Sequence, residues 1–337
     1  MQVLFIGGTR FVGPHAVRRL CELGHDVTVF HRGQHEAELP PRVRHLHSGA
    51  MPTDPRDRRQ LGRFAKELAA LRPEVVVDMV AYTRDDAAAL VRMFSRVARR
   101  MVVASSIDVY RAFGRLQRTE PGEPDRALLR EDSPLREKLS VHGERSEKRH
   151  VEEVVLGEPR LPGTVLRFPA VYGPGDHRLY EYTRRMFDGR PSILLDEATA
   201  AWRFTHGYVE DVAEAVVLAV THERSAGRIY NVGEGETPHR LARLRDLAAA
   251  AEWKGRFVPL PLGRLPSHFA EDLDWRQDWA VDTRRIRDEL GYREVVPYEE
   301  GLRRSVEWQR VNPPAALDPA AWDYAAEDEA LRVAKHL

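Results

Sequence analysis

Val3-Leu4-Phe5-Ile6-Gly7-Gly8-Thr9-Arg10-Phe11-Val12-Gly13 runs an apolar segment straight into a glycine-rich turn, and Val17, Leu20 and Cys21 follow at helical spacing. Strand, glycine turn and helix in that order make an anion-binding corner. Glycine at the strand exit permits a tight turn and lets the main chain approach a phosphate. The exposed N–H groups at the helix start, with the helix dipole, then hold a pyrophosphate. The motif has the context it demands, so the stretch predicts a dinucleotide site with Gly7, Thr9, Arg10, Phe11, Val12 and Gly13 as contacts. Arg10 stands where a further loop glycine is usual. Charge complementarity predicts that it contacts the phosphates and does not obstruct them.

Working outward, residues 27–30, 75–80, 101–104 and 164–168 are strand-like and apolar along their length, the pattern of strands covered on both faces. Leu90, Val91, Phe94, Val97 and Ala98 form a helical stripe between two of them. Strand and helix in alternation predict an α/β fold with a doubly wound parallel sheet, and the length leaves room for a smaller lobe beside it. Residues 111–140, rich in Arg, Glu and Pro, read as a long surface excursion, either a solvated loop or a flap over a site. Beyond 173 the pattern loosens. It predicts a helix at 210–221 with Ala213, Val216, Val217 and Val220 inward, and a strand at 228–232 rejoining the sheet. Two further helices follow, through Leu241, Leu244, Leu247 and Ala251 and at 298–309. The expected division is a dinucleotide-binding domain of 1–172 plus 207–233, a smaller lobe of 173–206 plus 234–312, and a tail of 313–337, packed or frayed.

The 337 residues carry 52 Lys+Arg against 52 Asp+Glu and are 42% hydrophobic, which fits a globular chain with a real core. Balanced charge gives no drive toward a phosphate backbone, so a nucleic-acid partner is not expected. Cys21 is the single cysteine, which excludes an internal disulfide and a cysteine-based metal site. No window approaches ~20 apolar residues, and no basic-then-apolar leader is read; the expectation is a cytoplasmic protein without a membrane partner. The fourteen histidines show no His-Glu-x-x-His or paired ligand spacing, so no metal is expected, and no Gly-x-Ser-x-Gly elbow points to a serine hydrolase.

A carboxylate at the end of the second strand would accept from the adenosine ribose hydroxyls. This one ends Val29-Phe30-His31-Arg32-Gly33. Arg32, with Arg10 and His31 nearby, suits a 2′-phosphate, so NADP is favoured over NAD; the alternative is a solvated Arg32.

Several stretches then fall in the order of a known family. After the loop 7–13 come Ser105-Ser106-Ile107-Asp108-Val109-Tyr110, Leu166-Arg167-Phe168-Pro169-Ala170-Val171-Tyr172-Gly173-Pro174-Gly175, and Arg203-Phe204-Thr205-His206-Gly207-Tyr208-Val209-Glu210-Asp211. Tyr230-Asn231-Val232-Gly233, Asp282-Thr283-Arg284 and Leu290-Gly291-Tyr292 complete the set. Together they resemble the extended short-chain dehydrogenase/reductase family, the NAD-dependent epimerases and dehydratases of nucleotide sugars. The Gly-Gly-Thr-Arg-Phe start also resembles an atypical branch that includes chloroplast stem-loop-binding proteins.

The resemblance implies a Rossmann-type sheet with a smaller C-terminal substrate lobe, NAD or NADP across the strand edges, a small-molecule substrate such as a nucleotide sugar under that lobe, and a habit of forming dimers. It gives Ser106 the role of polarising the substrate oxygen and Lys148 that of the family lysine, which contacts ribose and favours the ionised base. A surface lysine paired with Glu144 or Glu152 is the structural alternative. Ala81 and Tyr82 would border adenine and ribose, Pro169 and Val171 the nicotinamide carboxamide. Asp108, Tyr110 and Arg203 would meet the substrate, Arg203 through a diphosphate, unless it belongs to the core edge beside Trp202 and Phe204. A dehydratase is not expected, because only one acid, Asp108, follows the hydroxyl residue. The family tyrosine is missing: counting four back from Lys148 gives Glu144, and aligning on Gly143 gives His142. Either is a candidate base, Tyr82 or Tyr110 could reach in, or the chemistry is lost. The second reading is therefore a non-catalytic or RNA-associated Rossmann protein, with Arg56, Arg58, Arg59 and Arg63 as its basic patch.

Overall fold

The computed structural model describes residues 1–49, 61–139, 143–316 and 318–334. The chain runs through β1 (Gln2–Ile6), α1 (Val12–Glu22), β2 (Asp26–His31), β3 (Arg44–His47), α2 (Ala65–Ala70), β4 (Val75–Asp78), α3 (Arg84–Phe94) and β5 (Arg100–Ser106). It continues through α4 (Arg111–Leu116), α5 (Lys148–Leu156) and β6 (Gly163–Phe168). Seven parallel strands, with β10 (Ile229–Asn231) at one edge, order as β10-β6-β5-β4-β1-β2-β3. Successive strands step away from β1 in opposite directions on its two sides, so the chain order reverses between β1 and β4. That is where an open α/β sheet leaves a crevice for a ligand.

The continuous apolar runs are explained by two covered faces. Val3 and Phe5 of β1 face a core shared with Val17 and Leu20 of α1 and with Val212 and Val216 of α8 (Val209–Thr221). Leu4 and Ile6 face the other core, with Leu90 and Phe94 of α3 and Val151 and Val155 of α5. The remaining elements are β7 (Ala170–Tyr172), α6 (Tyr180–Phe187), β8 (Ser192–Asp196), α7 (Glu197–Ala201), β9 (His206–Tyr208), α9 (Arg240–Ala250), β11 (Arg256–Leu260), α10 (Arg284–Leu290), α11 (Tyr298–Val311) and α12 (Tyr324–Ala334). β7 pairs with β9 and β8 with β11 in two small parallel sheets. Among the described residues no helix is long and apolar enough to cross a membrane.

Three expectations need correction. β4 stops at Asp78, not at 80, because Asp78 Oδ1 accepts the Val80 N–H at 3.0 Å and turns the chain. Residues 111–139 open with α4 and run over the surface as expected, with 121–128 mostly exposed, but they are anchored to the body and are not a free solvated loop. Phe113, Leu116 and Leu129 are buried, as are Glu120, Glu131 and Arg136, and Glu120 Oε1 accepts the Glu137 and Lys138 N–H groups at 2.6 and 2.7 Å. The strand β3 was not anticipated at all. The C-terminal segment is packed: Glu327 of α12, fully buried, meets Arg185 of α6 at 2.5 Å. Of the anticipated basic patch, Arg56, Arg58 and Arg59 lie outside the described residues.

Candidate functional site

The glycine turn is built as its sequence requires. Gly7 and Gly8 take φ of +83° and +88°, a region open to glycine at no steric cost. A Cβ on Gly13 would lie 2.4 Å from the Gly8 Cα and carbonyl oxygen, so the helix start can pack on the turn only without a side chain there. The Arg10 side chain is exposed, with no hydrogen bond or ion pair among the described residues, and so does not plug the cradle.

From this turn a groove of about 700 Å³ runs past the ends of β2, β4 and β5 to the β6–β7 exit. Gly7, Thr9, Arg10, Phe11, Val12, Arg32, Tyr82, Ser106, Lys148, Pro169 and Val171 all line it. Two predicted contacts lie behind its wall: Gly13 is buried under Gly8, and Ala81, fully buried, offers only its carbonyl to Lys148. Another concavity of similar size, between α9 and α11, is bordered by charges such as Arg303, Glu307 and Arg310 and has no strand ends or glycine turn.

Lys148 heads α5 and is buried. Its Nζ donates to the Ala81 carbonyl at 2.6 Å and the Ala104 carbonyl at 2.8 Å, and sits 4.6 Å from the Tyr82 ring centroid. It is therefore not a surface lysine paired with Glu152. Glu152 is held elsewhere: Arg167 gives it two bonds of 3.0 and 2.7 Å, and Ser105 Oγ donates to it at 2.6 Å. Just before α5, Glu147 accepts from the buried Arg136 at 3.1 Å, while its N–H donates to the Tyr82 carbonyl at 2.8 Å. The lysine is thus fixed from both sides. Ser106, half-buried on the groove, accepts the Asp108 N–H at 3.3 Å.

Other expectations fail on geometry. Tyr110 is fully buried, donates to Asn231 Oδ1 at 2.6 Å and accepts from Arg167 Nη1 at 2.9 Å. Burial pushes its phenol up to about 12, so it is neither a base nor a substrate contact. Arg203 is spoken for: Nε meets the fully buried Asp278 at 2.8 Å, and Nη2 donates to the Arg126 carbonyl at 2.5 Å. That leaves little for a diphosphate. Asp108 does not line the groove. His142 lies outside the described residues, and Glu144 falls in the helical turn Gly143–Ser146.

Sequence reasoning missed Arg178, which lines the groove with Nε on the Val171 carbonyl at 3.0 Å and on Asp176 at 3.1 Å. It also missed a grouping of histidines. His31, Glu36, His45 and His47 bring ligand atoms within 4.8 Å of one another, against the expectation that no such grouping exists. The signal was His45-x-His47 on a strand, paired with a residue from the strand beside it. Burial lowers the His31 imidazole below its ordinary value.

The profile of the NAD dependent epimerase/dehydratase family matches residues 3–233. A 2′-dehydrokanamycin reductase of Streptomyces kanamyceticus is 28% identical over 75% of this chain and 70% of its own. A probable UDP-glucuronate 4-epimerase of Rhizobium meliloti is 26% identical over 93% of this chain and 98% of its own. The crystal structure of the Thermus thermophilus UDP-glucose 4-epimerase complex with NAD superposes with a TM-score of 0.66 at 24% identity, covering 92% of this chain and 99% of that one.

Proposed function

This chain belongs to the NAD dependent epimerase/dehydratase family and is an enzyme, and from that premise we propose an NAD(P)-dependent epimerase or reductase acting at a hydroxyl or keto carbon of a sugar-like substrate, with a nucleotide sugar as first candidate. The observation that carries the reading is the pairing, on one groove, of the glycine cradle with Ser106 and the buried Lys148. The cradle fits a dinucleotide: a Cβ at Gly7 would come within 2.9 Å of Val80, so the main chain itself forms the floor. When bound, the nicotinamide accepts or supplies the hydride.

The chain's own residues do the rest. The loop 7–13 holds the pyrophosphate. Arg10 and Arg32, neither with a carboxylate partner among the described residues, meet a 2′-phosphate, which favours NADP. Pro169 and Val171 border the nicotinamide end. Ser106 Oγ donates to the substrate oxygen and steadies charge as it develops there. Lys148, locked across the ends of β4 and β5, sets a positive charge beside that oxygen. As the carbinol carbon gives up its hydride, the hydroxyl proton passes to a base that we assign to the segment leading into Lys148, either His142 or Glu144; a ketone takes the same path in reverse. Residues 173–206 and 234–312 form the lobe that closes over the substrate. That one relative is a reductase and another a 4-epimerase supports reversible hydride transfer at a single carbon.

Calorimetry with NADP and NAD, followed by turnover with nucleotide sugars and their keto forms, tests this. Ser106→Ala is expected to lower kcat by about 10²–10³-fold with cofactor affinity unchanged. Unaltered turnover refutes the role of Ser106, and the lack of binding heat with either cofactor refutes the whole reading.

A further inference from the structure

At the outer end of β2 the parallel pairing with β3 sets Val29 opposite His45 and His31 opposite His47. Residues two apart on a strand share a face, so the three imidazoles gather on one side of the sheet edge. Ring centroids lie 4.6 Å apart for His31 and His47 and 5.2 Å for His31 and His45. Glu36 folds back to close the ring. Its Oε1 is 2.9 Å from His47 Nε2, and its Oε2 is 3.2 Å from His45 Nδ1 and 3.7 Å from His31 Nε2.

Protons alone do not satisfy this arrangement. His31 Nδ1 accepts the Gly33 N–H at 3.3 Å, which places the neutral ring's proton on Nε2, 3.0 Å from His45 Nδ1. His45 Nδ1 must then accept, and its lone pair faces Glu36 Oε2. If His45 Nδ1 instead donates to Glu36, two N–H groups meet between His31 and His45. Switching His31 to its other tautomer moves that clash to Gly33. Each placement leaves one repulsive contact; a cation at the centre attracts all four donors and leaves only the Gly33 N–H to turn away from His31.

We propose that His31, Glu36, His45 and His47 form a binding site for a divalent transition-metal ion of the zinc class. Three imidazoles and one carboxylate are a four-coordinate donor set, and nitrogen donors select such ions over calcium and magnesium. A tetrahedral ion with bonds of roughly 2.0–2.1 Å needs donors about 3.3 Å apart; His31, His45 and Glu36 Oε2 stand 3.0, 3.2 and 3.7 Å apart, and His47, with its ligand atom within 4.8 Å of the others, completes the set by drawing in toward them. With all four positions filled by protein the site is structural, not catalytic. Occupancy requires the Nδ1–H tautomer of His31, so the long bond from Gly33 yields, and Gly33, at φ +75°, is the residue whose peptide turns. The ligands His31 and Glu36 bracket Arg32, Gln34 and His35, all of which line the groove. The metal therefore clasps one wall of the groove to the edge strand.

The test uses the full chain, freed of metal by chelator, in wild-type form and as Glu36→Gln and His47→Ala, whose side chains are about half exposed. Chelated variants with the circular dichroism and melting temperature of chelated wild type are folded controls. Zn2+ titrated by calorimetry is expected to bind once per chain and to raise the wild-type melting temperature, and Co2+ added to the metal-free chain in its place is expected to show the visible absorption of a four-coordinate ion. Each substitution is expected to weaken binding beyond the ~10–100-fold that follows loss of a supporting contact and to abolish the thermal shift. Wild type that takes up no Zn2+, or that binds it no more tightly than a His45→Ala/His47→Ala double variant, overturns the proposal.

Discussion

Replacing Arg167 by methionine tests how the frame behind Lys148 is held. Arg167 is 1% exposed in β6. Its Nε and Nη2 meet Glu152 at 3.0 and 2.7 Å, and its Nη1 donates to the Tyr110 hydroxyl at 2.9 Å and the Glu131 carbonyl at 3.0 Å. The two opposite charges are matched in a fork-to-fork pair. Methionine keeps much of the side-chain stem and removes the guanidinium, leaving Glu152 buried with Ser105 Oγ as a donor. Breaking a buried pair from one side costs about 3–5 kcal/mol, a large part of the ~5–15 kcal/mol that holds a domain together. A second change, Glu152→Gln, removes the stranded charge and keeps an acceptor for Ser105. An unpaired neutral group costs about 1–3 kcal/mol, so the double variant should regain about 2 kcal/mol over the single one.

Urea denaturation followed by circular dichroism measures each step. Because α5 also carries Lys148, cofactor affinity should follow stability in both variants. A single variant that loses less than about 1 kcal/mol, or a double variant no more stable than the single, refutes charge matching as the basis of this frame.

Asp211 gives a test of opposite sign. Its Oδ1 accepts both the Val295 and Val296 N–H groups, at 2.7 and 3.1 Å, and burial pushes its carboxyl up to about 6 from 3.8. A raised carboxyl stabilises the fold in acid and loses that contribution as the pH rises through about 6, so the buried charge costs up to about 3 kcal/mol above that point. Asp211→Asn keeps Oδ1 for both bonds. It is expected to raise stability by up to about 3 kcal/mol in urea melts near pH 8 and by little near pH 4; a variant less stable than wild type near pH 8 contradicts this. For the cofactor, Arg32→Ala should weaken NADP binding by about 10- to 100-fold, the worth of one charge-assisted hydrogen bond, with NAD binding little changed. Equal losses for both cofactors in calorimetry would show that Arg32 does not read the 2′-phosphate.

The parts of the fold that could be read from sequence are those whose cause is local. Gly7, Gly8 and Gly13 answer to backbone geometry, and the runs in β1, β4, β5 and β6 answer to burial on two faces, so both cores and the cradle were legible. β3 was not, because Arg44-His45-Leu46-His47 has a single apolar residue, and a strand at the sheet edge pairs on one side only. Residues 111–139 looked solvated because composition counts charges without saying where their partners are. Glu131 is buried 3.4 Å from Arg285, and Arg136 3.1 Å from Glu147, partners that no local window contains for Glu131 and that lie eleven residues on for Arg136.

The same long-range pairing decided the site. Lys148 sat four residues from Glu152, so an exposed helix pair and a groove lysine were equally legible; Arg167 takes Glu152, and that leaves the lysine with the strand-end carbonyls. Tyr110 and Arg203 stood at family positions and lost their expected roles to Asn231 and Asp278. Arg10 and Arg32 show the converse: with no carboxylate partner among the described residues, they leave cationic charge on the groove of a chain whose formal net charge is zero. A neutral total thus argues only against a nonspecific polyanion. It does not argue against a local phosphate site, because buried arginines of the frame such as Arg136 and Arg167 are matched by carboxylates while these two line the groove without one.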